Sequence, residues 1–244
     1  MLIVGLTGGI ATGKSTVSST LKDKYNISVI DADVIAKEVV NPGRKAYQRI
    51  IETFGDEVPD LVSESDGSLN RPALGKAVFG NKANLSKLNS IVHPAVRKEI
   101  FWQLFKAYIS FNDIVILDVP LLFEATMHRL CGLVITVSCE RIKQIERLKL
   151  RNPELSEDDA NKRIDSQMSN EERNYRADLV IDNSKTEKDL QDSIDSIVHE
   201  IRPGMLYTLL DYFPPFGLVS ALYTFATRSF RDKYKGTKPH KKLD

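Results

Sequence analysis

A glycine-rich segment that directly follows a short apolar run is the feature that most constrains the fold of this chain. Residues 2–6 form the apolar run, and residues 8–16 read GGIATGKST, which matches the phosphate-loop pattern G-x-x-x-x-G-K-[ST]. The residues of this loop are Gly8, Gly9, Ile10, Ala11, Thr12, Gly13, Lys14, Ser15 and Thr16. In such a loop, backbone N–H groups at a helix N-terminus bind polyphosphate, the lysine contacts the β- and γ-phosphates, and the serine hydroxyl can bind Mg²⁺. The pattern therefore predicts a site for a nucleotide polyphosphate.

Apolar runs and helical patterns alternate along the rest of the chain. The predicted strands are residues 2–7, 27–31, 114–118, 133–137 and 179–182. The predicted helices are residues 14–24, 33–40, 84–109, 140–151, 156–168 and 186–201. The strands are apolar throughout, as a sheet covered by helices on both faces requires. This order predicts a parallel, doubly wound α/β sheet with its ligand at the carboxyl ends of the strands.

Composition narrows the class of protein. With 244 residues, 42% of them hydrophobic, the chain is long enough for one well-cored domain. The formal net charge of +1 argues against nucleic acid as a partner. Cys131 and Cys139 lack metal-ligand spacing and indicate reduced thiols, and the N-terminus lacks a signal-peptide pattern. We therefore expect a cytoplasmic protein.

The second predicted strand ends in Asp31-Ala32-Asp33. At the carboxyl edge of a parallel sheet, such a carboxylate can accept the proton of an attacking hydroxyl or hold a magnesium-bound water. The alternative is that one of the two aspartates caps the helix that follows. We favour a catalytic role for Asp33.

The third predicted strand ends in Asp118, a position typical of a second magnesium ligand in phosphate-loop enzymes. The loop after it is unusually apolar for a catalytic edge. Leu121 and Leu122 either contact an organic phosphate acceptor or pack in the core beneath the site, and the pattern leaves both open.

Basic residues follow the fourth strand. Arg147 and Arg151 lie four residues apart on one face of a predicted helix. Ser156 and the acidic residues after it indicate the cap of a second helix, in which Arg163 and Gln167 are again four apart. Two such helices could close over a transferring phosphoryl group, although Arg163 fits a surface ion pair better.

Residues 204–244 differ from the rest of the chain in how their charged side chains are distributed. Residues 204–227 carry Asp211 as their only formal charge, whereas residues 228–244 hold seven basic and two acidic side chains, a net charge of +5. This pattern fits a peripheral membrane contact, a helix packed on the domain or, less well because of Pro214-Pro215, a membrane span.

A missing motif helps to distinguish GTP-binding from ATP-binding phosphate-loop proteins. The guanine-specifying pattern Asn-Lys-x-Asp is missing from the sequence. This disfavours a GTPase and favours ATP, so a small-molecule kinase remains.

Several segments together resemble the dephospho-CoA kinase family in order and spacing. They are TGGIATGKST at 7–16, VIDAD at 29–33, HP at 93–94, DVPLLFE at 118–124 and ADLVIDN at 177–183. The resemblance covers residues 1–203. It implies transfer of the γ-phosphate of MgATP to the ribose 3′-hydroxyl of dephospho-CoA, which gives CoA and ADP.

The resemblance also implies a three-layer phosphate-loop kinase fold with a five-stranded parallel sheet, a helical acceptor-binding insertion at about 60–110 and a helical lid at about 145–175. It makes Asp33 the general base, places Thr7 and Arg147 near the transferring phosphoryl group, and puts His93 on the acceptor side. Asn183 follows the last strand and is expected near the adenine of ATP, although an asparagine there is often only a turn residue.

Two other functions stay open. One is a kinase for another small molecule, such as a nucleoside or nucleotide, and the other is a nucleotide-dependent binding protein held at a membrane by residues 204–244. Contact with other enzymes of CoA synthesis, and association with an organelle membrane, are further expectations.

Overall fold

The computed structural model describes residues 1–204 and 210–235. Its strands are β1 (Leu2–Gly8), β2 (Ser28–Asp31), β3 (Ile114–Asp118), β4 (Leu133–Ser138) and β5 (Leu179–Asp182). Its helices are α1 (Lys14–Asp23), α2 (Ala32–Glu38), α3 (Lys45–Phe54), α4 (Arg71–Val78), α5 (Lys82–Ile109), α6 (Arg141–Arg151), α7 (Glu157–Asp165), α8 (Asn170–Arg176), α9 (Glu187–Ile201) and α10 (Pro214–Lys235), with a 3-10 helix at Met127–Leu130.

The five strands form one sheet in the order β2-β3-β1-β4-β5. β1 lies at its centre and pairs in parallel with β3 and β4, so that Leu6 is level with Asp118 on one side and with Ile135 on the other. β5 pairs in parallel with β4. The predicted α/β class, the parallel sheet and all five strands are confirmed. This order brings the phosphate loop after β1 next to the carboxyl ends of β3 and β4.

The main core lies between this sheet and its helices. β3 is buried along its whole length, as its continuous apolar sequence requires. Two helices pack on the sheet with apolar stripes. α1 contributes Val17 and Leu21, and α9 contributes a longer row of buried residues. That row consists of Leu190, Ile194, Ile197, Val198 and Ile201.

The helices differ from the prediction in three places. The predicted helix at 156–168 is present only as α7, which ends at Asp165, and the α8 helix after it was missed. Ser156 and Ser169 each cap one of these helices by accepting a hydrogen bond from the backbone N–H three residues on. The cap predicted at Ser156 is therefore confirmed. α3 was not predicted, although Ala46, Ile50 and Phe54 bury one face at helical spacing. α4 was also missed; its cap is the Asn70 side chain.

The chain divides into two compact units. The first contains residues 1–30 and 107–244, and the second contains residues 31–106. The second unit has a core of its own, built by α3, α4 and the first part of α5 around residues such as Ile50 and Phe54. The expected acceptor region at 60–110 and lid at 145–175 stay predictions as domain boundaries.

Both cysteines lie buried in the first unit and are free thiols. Burial raises the pKa of the Cys131 thiol to about 12, so this group stays protonated and unreactive near neutral pH.

Helix α10 packs on the first unit, mainly against the 3-10 helix. Arg228 donates hydrogen bonds to the carbonyl oxygens of Cys131 and Gly132, at 3.1 and 2.7 Å. Of the three interpretations of residues 204–244, a packed helix is thus present at 214–235. In the described part of the chain, no helix is long and apolar enough to cross a membrane. Residues 205–209 and 236–244 lie outside the described residues.

Candidate active site

The phosphate loop has the shape that its glycines predict. Gly13 adopts a positive φ of 94°, a conformation that side chains disfavour. A Cβ at Gly8 would lie 2.8 Å from both the Thr12 hydroxyl and the Val137 carbonyl oxygen, so the loop can fold this closely on β4 only with glycine there. The Thr12 hydroxyl closes the loop by donating to the Gly9 carbonyl at 2.9 Å.

Lys14 and Asp118 lie together at the carboxyl edge of the sheet. Lys14 Nζ is 2.5 Å from Asp118 Oδ1, and the carboxylate is almost fully buried. Ser15 follows Lys14 at the start of α1, and its side chain is exposed. Hydroxyl and carboxylate oxygens are the ligands that Mg²⁺ prefers, so the chemistry of Ser15 and Asp118 fits that ion. Within the described residues, no cluster of three or more His, Cys, Asp or Glu side chains forms a separate metal site.

Two glutamine side chains hold the phosphate loop from the side of α6 and α7. Gln144 Nε2 donates to the Ile10 carbonyl at 2.7 Å, and the Ile10 N–H donates to Gln167 Oε1 at 2.9 Å. Gln144 is buried. The loop backbone is therefore positioned by the segment predicted as the lid as well as by its own turns.

The two candidate arginines of α6 have different environments. Arg147 Nη2 donates to the Asn183 carbonyl at 3.1 Å, and its Nη1 lies 3.4 Å from the Thr12 carbonyl oxygen. Arg151 is the last residue of α6 and is exposed. The structure thus places Arg147, but not Arg151, in contact with the phosphate loop.

Asn183 is buried directly behind the loop. Its Nδ2 donates to the Thr12 carbonyl at 2.8 Å, and its backbone N–H donates to the Ser138 carbonyl at 2.7 Å. A Cβ on Gly13 would collide with this side-chain amide. Asn183 therefore links β5 to the loop, and contact with a nucleotide base stays a prediction.

Three further side chains at the loop were missed by the sequence reasoning. Gln144 is one; the others are Asn170, which accepts a hydrogen bond from Arg173 at 3.1 Å, and Arg173 itself, which also donates to the Met168 carbonyl at 2.7 Å. Arg173 is one of the largest fully buried side chains, and burial lowers its pKa against the opposing effect of Glu124 and Glu172. Arg173 is part of a charged run, so no local pattern marks it as buried.

The apolar loop after β3 divides its two leucines between core and surface. Leu122 is fully buried and packs beneath β1, whereas Leu121 is 44% exposed. Thr7 is also fully buried, and its hydroxyl donates to the Pro120 carbonyl at 2.8 Å. This geometry places Leu122 in the core, gives Thr7 an anchoring contact and leaves Leu121 exposed, and the contact of Leu121 with a phosphate acceptor stays a prediction.

A cavity of about 450 Å³ lies in the first unit beside Gly9. Its walls come from the ends of β4 and β5 and from α6, α7 and α8, and include Gln144, Gln167 and Arg173. Its size is in the range of small-molecule sites.

The remaining candidate residues belong to the second unit. Asp31 caps α2, because its Oδ1 accepts the N–H groups of Asp33 and Val34 at 2.8 and 3.1 Å. Asp33 lies in the first turn of α2 with an exposed side chain, and so the cap and the proposed base are different aspartates. His93 lies on α5, just before Pro94, and is exposed.

Comparison with known proteins agrees with the resemblance seen in the sequence. The model of a family described as dephospho-CoA kinase matches residues 2–189. A dephospho-CoA kinase of Saccharomyces cerevisiae is 50% identical over 238 residues, which cover 98% of each chain. A dephospho-CoA kinase of Bacillus cereus is 45% identical over 197 residues, which cover 81% of this chain and 96% of that protein.

Solved structures agree on the fold. A dephospho-CoA kinase from Campylobacter jejuni superposes with a TM-score of 0.59 at 26% identity, covering 83% of this chain and 98% of that one. A protein of Thermus thermophilus gives a TM-score of 0.68 at 28% identity with the same coverage. The architecture expected for a phosphate-loop kinase is therefore confirmed.

Proposed function

The chain belongs to the dephospho-CoA kinase family, and we propose that its phosphate loop, Asp33 and Arg147 carry out the transfer of the γ-phosphate of ATP to the ribose 3′-hydroxyl of dephospho-CoA. This reaction yields CoA and ADP and is the last step of CoA synthesis. The observation that supports the proposal most strongly is the match of residues 2–189 to the family, with a complete phosphate loop formed at the end of β1.

The donor side consists of the loop amides, Lys14, Ser15 and Asp118. The loop amides and the Lys14 ammonium bind the β- and γ-phosphates. The partial positive charge of the N–H groups and the full charge of the ammonium offset the negative charge of the polyphosphate. Mg²⁺ would be held by Ser15 and Asp118, and it would neutralise charge that develops on the β- and γ-phosphate oxygens. The 2.5 Å contact between Lys14 and Asp118 keeps the cation and the carboxylate together at the strand ends.

The acceptor side rests on Asp33. Its carboxylate accepts the proton of the 3′-hydroxyl while the hydroxyl oxygen forms a bond to the γ-phosphorus, and the bond from that phosphorus to the β-phosphate bridging oxygen breaks as ADP leaves. This assignment is supported by the fact that Asp31, not Asp33, supplies the helix cap. We assign His93 and Leu121 to binding of dephospho-CoA.

Arg147 and Arg151 are proposed to stabilise the charge of the transferring phosphoryl group. The position of Arg147 against the carbonyl oxygens of the phosphate loop supports its part in this role. Arg151 is one turn further along α6 and would act only after movement of the helix end.

A coupled assay of ADP release tests the proposed function. We expect turnover with dephospho-CoA well above the rate with adenosine or AMP, loss of that turnover in Lys14→Ala, and a product with the mass of CoA. Preference for adenosine or AMP would instead identify a nucleoside or nucleotide kinase. A rate at the ATPase background with all three acceptors would favour a nucleotide-dependent binding protein.

Three finer expectations belong with this proposal. They are a cytoplasmic location, contact with other enzymes of CoA synthesis, and a peripheral membrane contact of residues 204–244. Fractionation of cells and affinity purification of the full chain test the first two.

A further inference from the structure

Helix α10 has its polar and apolar faces reversed relative to an ordinary surface helix. Such a helix normally buries an apolar stripe and exposes polar residues. In α10 the face toward the first unit is small and polar and consists of Gly217, Ser220, Thr224, Arg228 and Asp232, all at least partly buried. The opposite face, which we call the outer stripe, is apolar and exposed and consists of Val219, Leu222, Tyr223 and Phe230.

The outer stripe is held outward by the contacts of the polar face. Arg228 pairs with Asp178 at 2.5 Å, and Arg231 pairs with the other oxygen of the same carboxylate at 2.6 Å. Asp232 pairs with Arg176 at 2.9 Å and lies 2.7 Å from His128 Nε2. Rotation of α10 to bury its apolar side would break these contacts. The exposure of the outer stripe is therefore a property of the folded protein.

The exposed apolar residues of the outer stripe form one patch and are not isolated from one another. Val219, Leu222, Tyr223 and Phe230 are each 61–71% exposed. They recur at helical spacing over residues 219–230 of α10, roughly 17 Å of the helix at 1.5 Å per residue. A contiguous exposed apolar patch of this kind marks an interaction surface.

Charge indicates what this surface binds. Residues 214–231 contain no acidic side chain, and the acidic Asp232 is turned inward to Arg176 and His128. In the sequence, residues 233–244 then carry five lysines against one acidic residue, Asp244. An exposed apolar stripe that is followed in the sequence by a run of lysines has the composition that binds the interface of an anionic bilayer, where apolar side chains enter the acyl boundary and lysines meet the headgroups.

We propose that α10 binds the surface of anionic membranes through its outer stripe, while its polar face stays fixed on the kinase core. The helix lies parallel to the bilayer and does not cross it. Binding holds the first unit at the membrane and leaves its sheet and phosphate loop unchanged. This proposal is independent of the acceptor that the kinase uses.

Vesicle flotation of the full chain tests the proposal. We expect the protein to float with phosphatidylcholine vesicles that contain about 30% phosphatidylserine, to stay in the soluble fraction with phosphatidylcholine alone, and to be released when salt screens the headgroup charge. Leu222→Ser should lower the bound fraction about tenfold at limiting lipid, because it removes an inserted apolar side chain. Replacing Lys238, Lys241 and Lys242 by glutamine should remove the preference for anionic lipid.

Phe79→Ser is the matched control, since Phe79 is more exposed than Leu222, at 91% against 61%, but lies outside α10. It should leave flotation unchanged. Equal binding by the Leu222→Ser chain, or no flotation of the parent, would overturn the proposal. Concentration-dependent dimerisation that Leu222→Ser abolishes would assign the stripe to a second copy of the chain instead. Turnover of dephospho-CoA by each variant reports separately on the kinase function and on folding.

Discussion

At the scale of single residues, two aspartates one residue apart have separate tasks. Asp31 Oδ1 accepts two backbone N–H groups and caps α2, whereas the Asp33 carboxylate takes no part in that cap. The sequence alone left either aspartate as the cap. The structure therefore supplies a matched pair of substitutions.

Asp33→Asn should lower kcat by about a hundredfold or more, because an amide cannot accept the proton of the 3′-hydroxyl. The affinity for ATP should change little. Asp31→Asn is the control: its side-chain oxygen still accepts the cap hydrogen bonds, so turnover should stay near that of the parent. Steady-state kinetics with dephospho-CoA, together with ATP binding measured by calorimetry, would show the difference. An equal loss of kcat in both variants would contradict the assignment of Asp33 as the general base.

Arg147 and Arg151 form a second matched pair. Arg147→Ala should reduce kcat more than it reduces the affinity for ATP, because its guanidinium lies against the phosphate loop and is proposed to stabilise the phosphoryl group in transfer. Arg151→Ala should have the smaller effect, since Arg151 is exposed at the end of α6. The same kinetic assay decides the point. A larger loss in Arg151→Ala would show that the end of α6 moves onto the substrate.

At the scale of elements, two carboxylates join α10 to the first unit. Asp178 accepts from Arg228 and Arg231, and although its burial works to raise its pKa, these hydrogen bonds and that of the Val134 N–H hold the pKa below its usual range. The Asp232 carboxylate of α10 likewise contacts three side chains, those of Arg129, Arg176 and His128. Because Arg176 ends α8, Asp232 ties α10 to the segment that also carries Arg173.

Asp232→Ala should destabilise the protein by roughly 1–3 kcal/mol, because it leaves several half-buried donors without their acceptor. The expected fall in Tm is roughly 2–4 °C per kcal/mol for a chain of this size. Differential scanning calorimetry measures it. Asp195→Ala serves as the control: it removes exposed contacts with Lys24 and with the Tyr25 hydroxyl, which should leave Tm unchanged within error. An unchanged Tm in Asp232→Ala would mean that α10 is held mainly by Arg228 and Arg231.

At the scale of the whole molecule, stability should depend on pH through His128. Burial lowers the pKa of His128 below 6.5; the Asp232 carboxylate opposes this shift, and Arg176 adds to it. Its Nδ1 has no hydrogen-bond partner in the described part of the chain. Since the unfolded chain takes up the proton near 6.5 and the folded chain only at lower pH, the unfolded state binds more protons between these two values.

The free energy of unfolding should therefore fall as the pH drops below about 6.5, until the folded pKa of His128 is passed. A further loss follows below the usual aspartate pKa of 3.8, because the pKa values of Asp178 and Asp232 are lowered in the folded state. Urea unfolding at several pH values between about 7.5 and about 5 measures the first change. In His128→Gln, which can still donate to Asp232, the curve should be flatter over this range. A curve of the same slope in both chains would assign the effect to another group.

The strands and the phosphate loop could be predicted because their determinants are local. A buried parallel strand needs a continuous apolar run, and residues 114–118 show one. Within the loop, Gly13 is required by its positive φ and Gly8 by the close approach of the Thr12 hydroxyl. Short helices such as α3 were missed, since their stripe of three buried residues has little length over which to establish a period.

By itself, the sequence determined the α/β class, the five strands to within one residue at either end, the phosphate loop and the carboxylates Asp31 and Asp118 at the ends of β2 and β3. Only the tertiary structure decided that Arg147 and not Arg151 contacts the loop, that Arg173 is buried, that Leu122 belongs to the core, and that α10 turns its polar face inward. The reason is physical. Backbone conformation and hydrophobic periodicity are set by neighbours in sequence, whereas the partner of a charged or polar side chain is set by elements that pack beside it from distant parts of the chain. Asp178 and Arg228, 50 residues apart and in direct contact, show this most clearly.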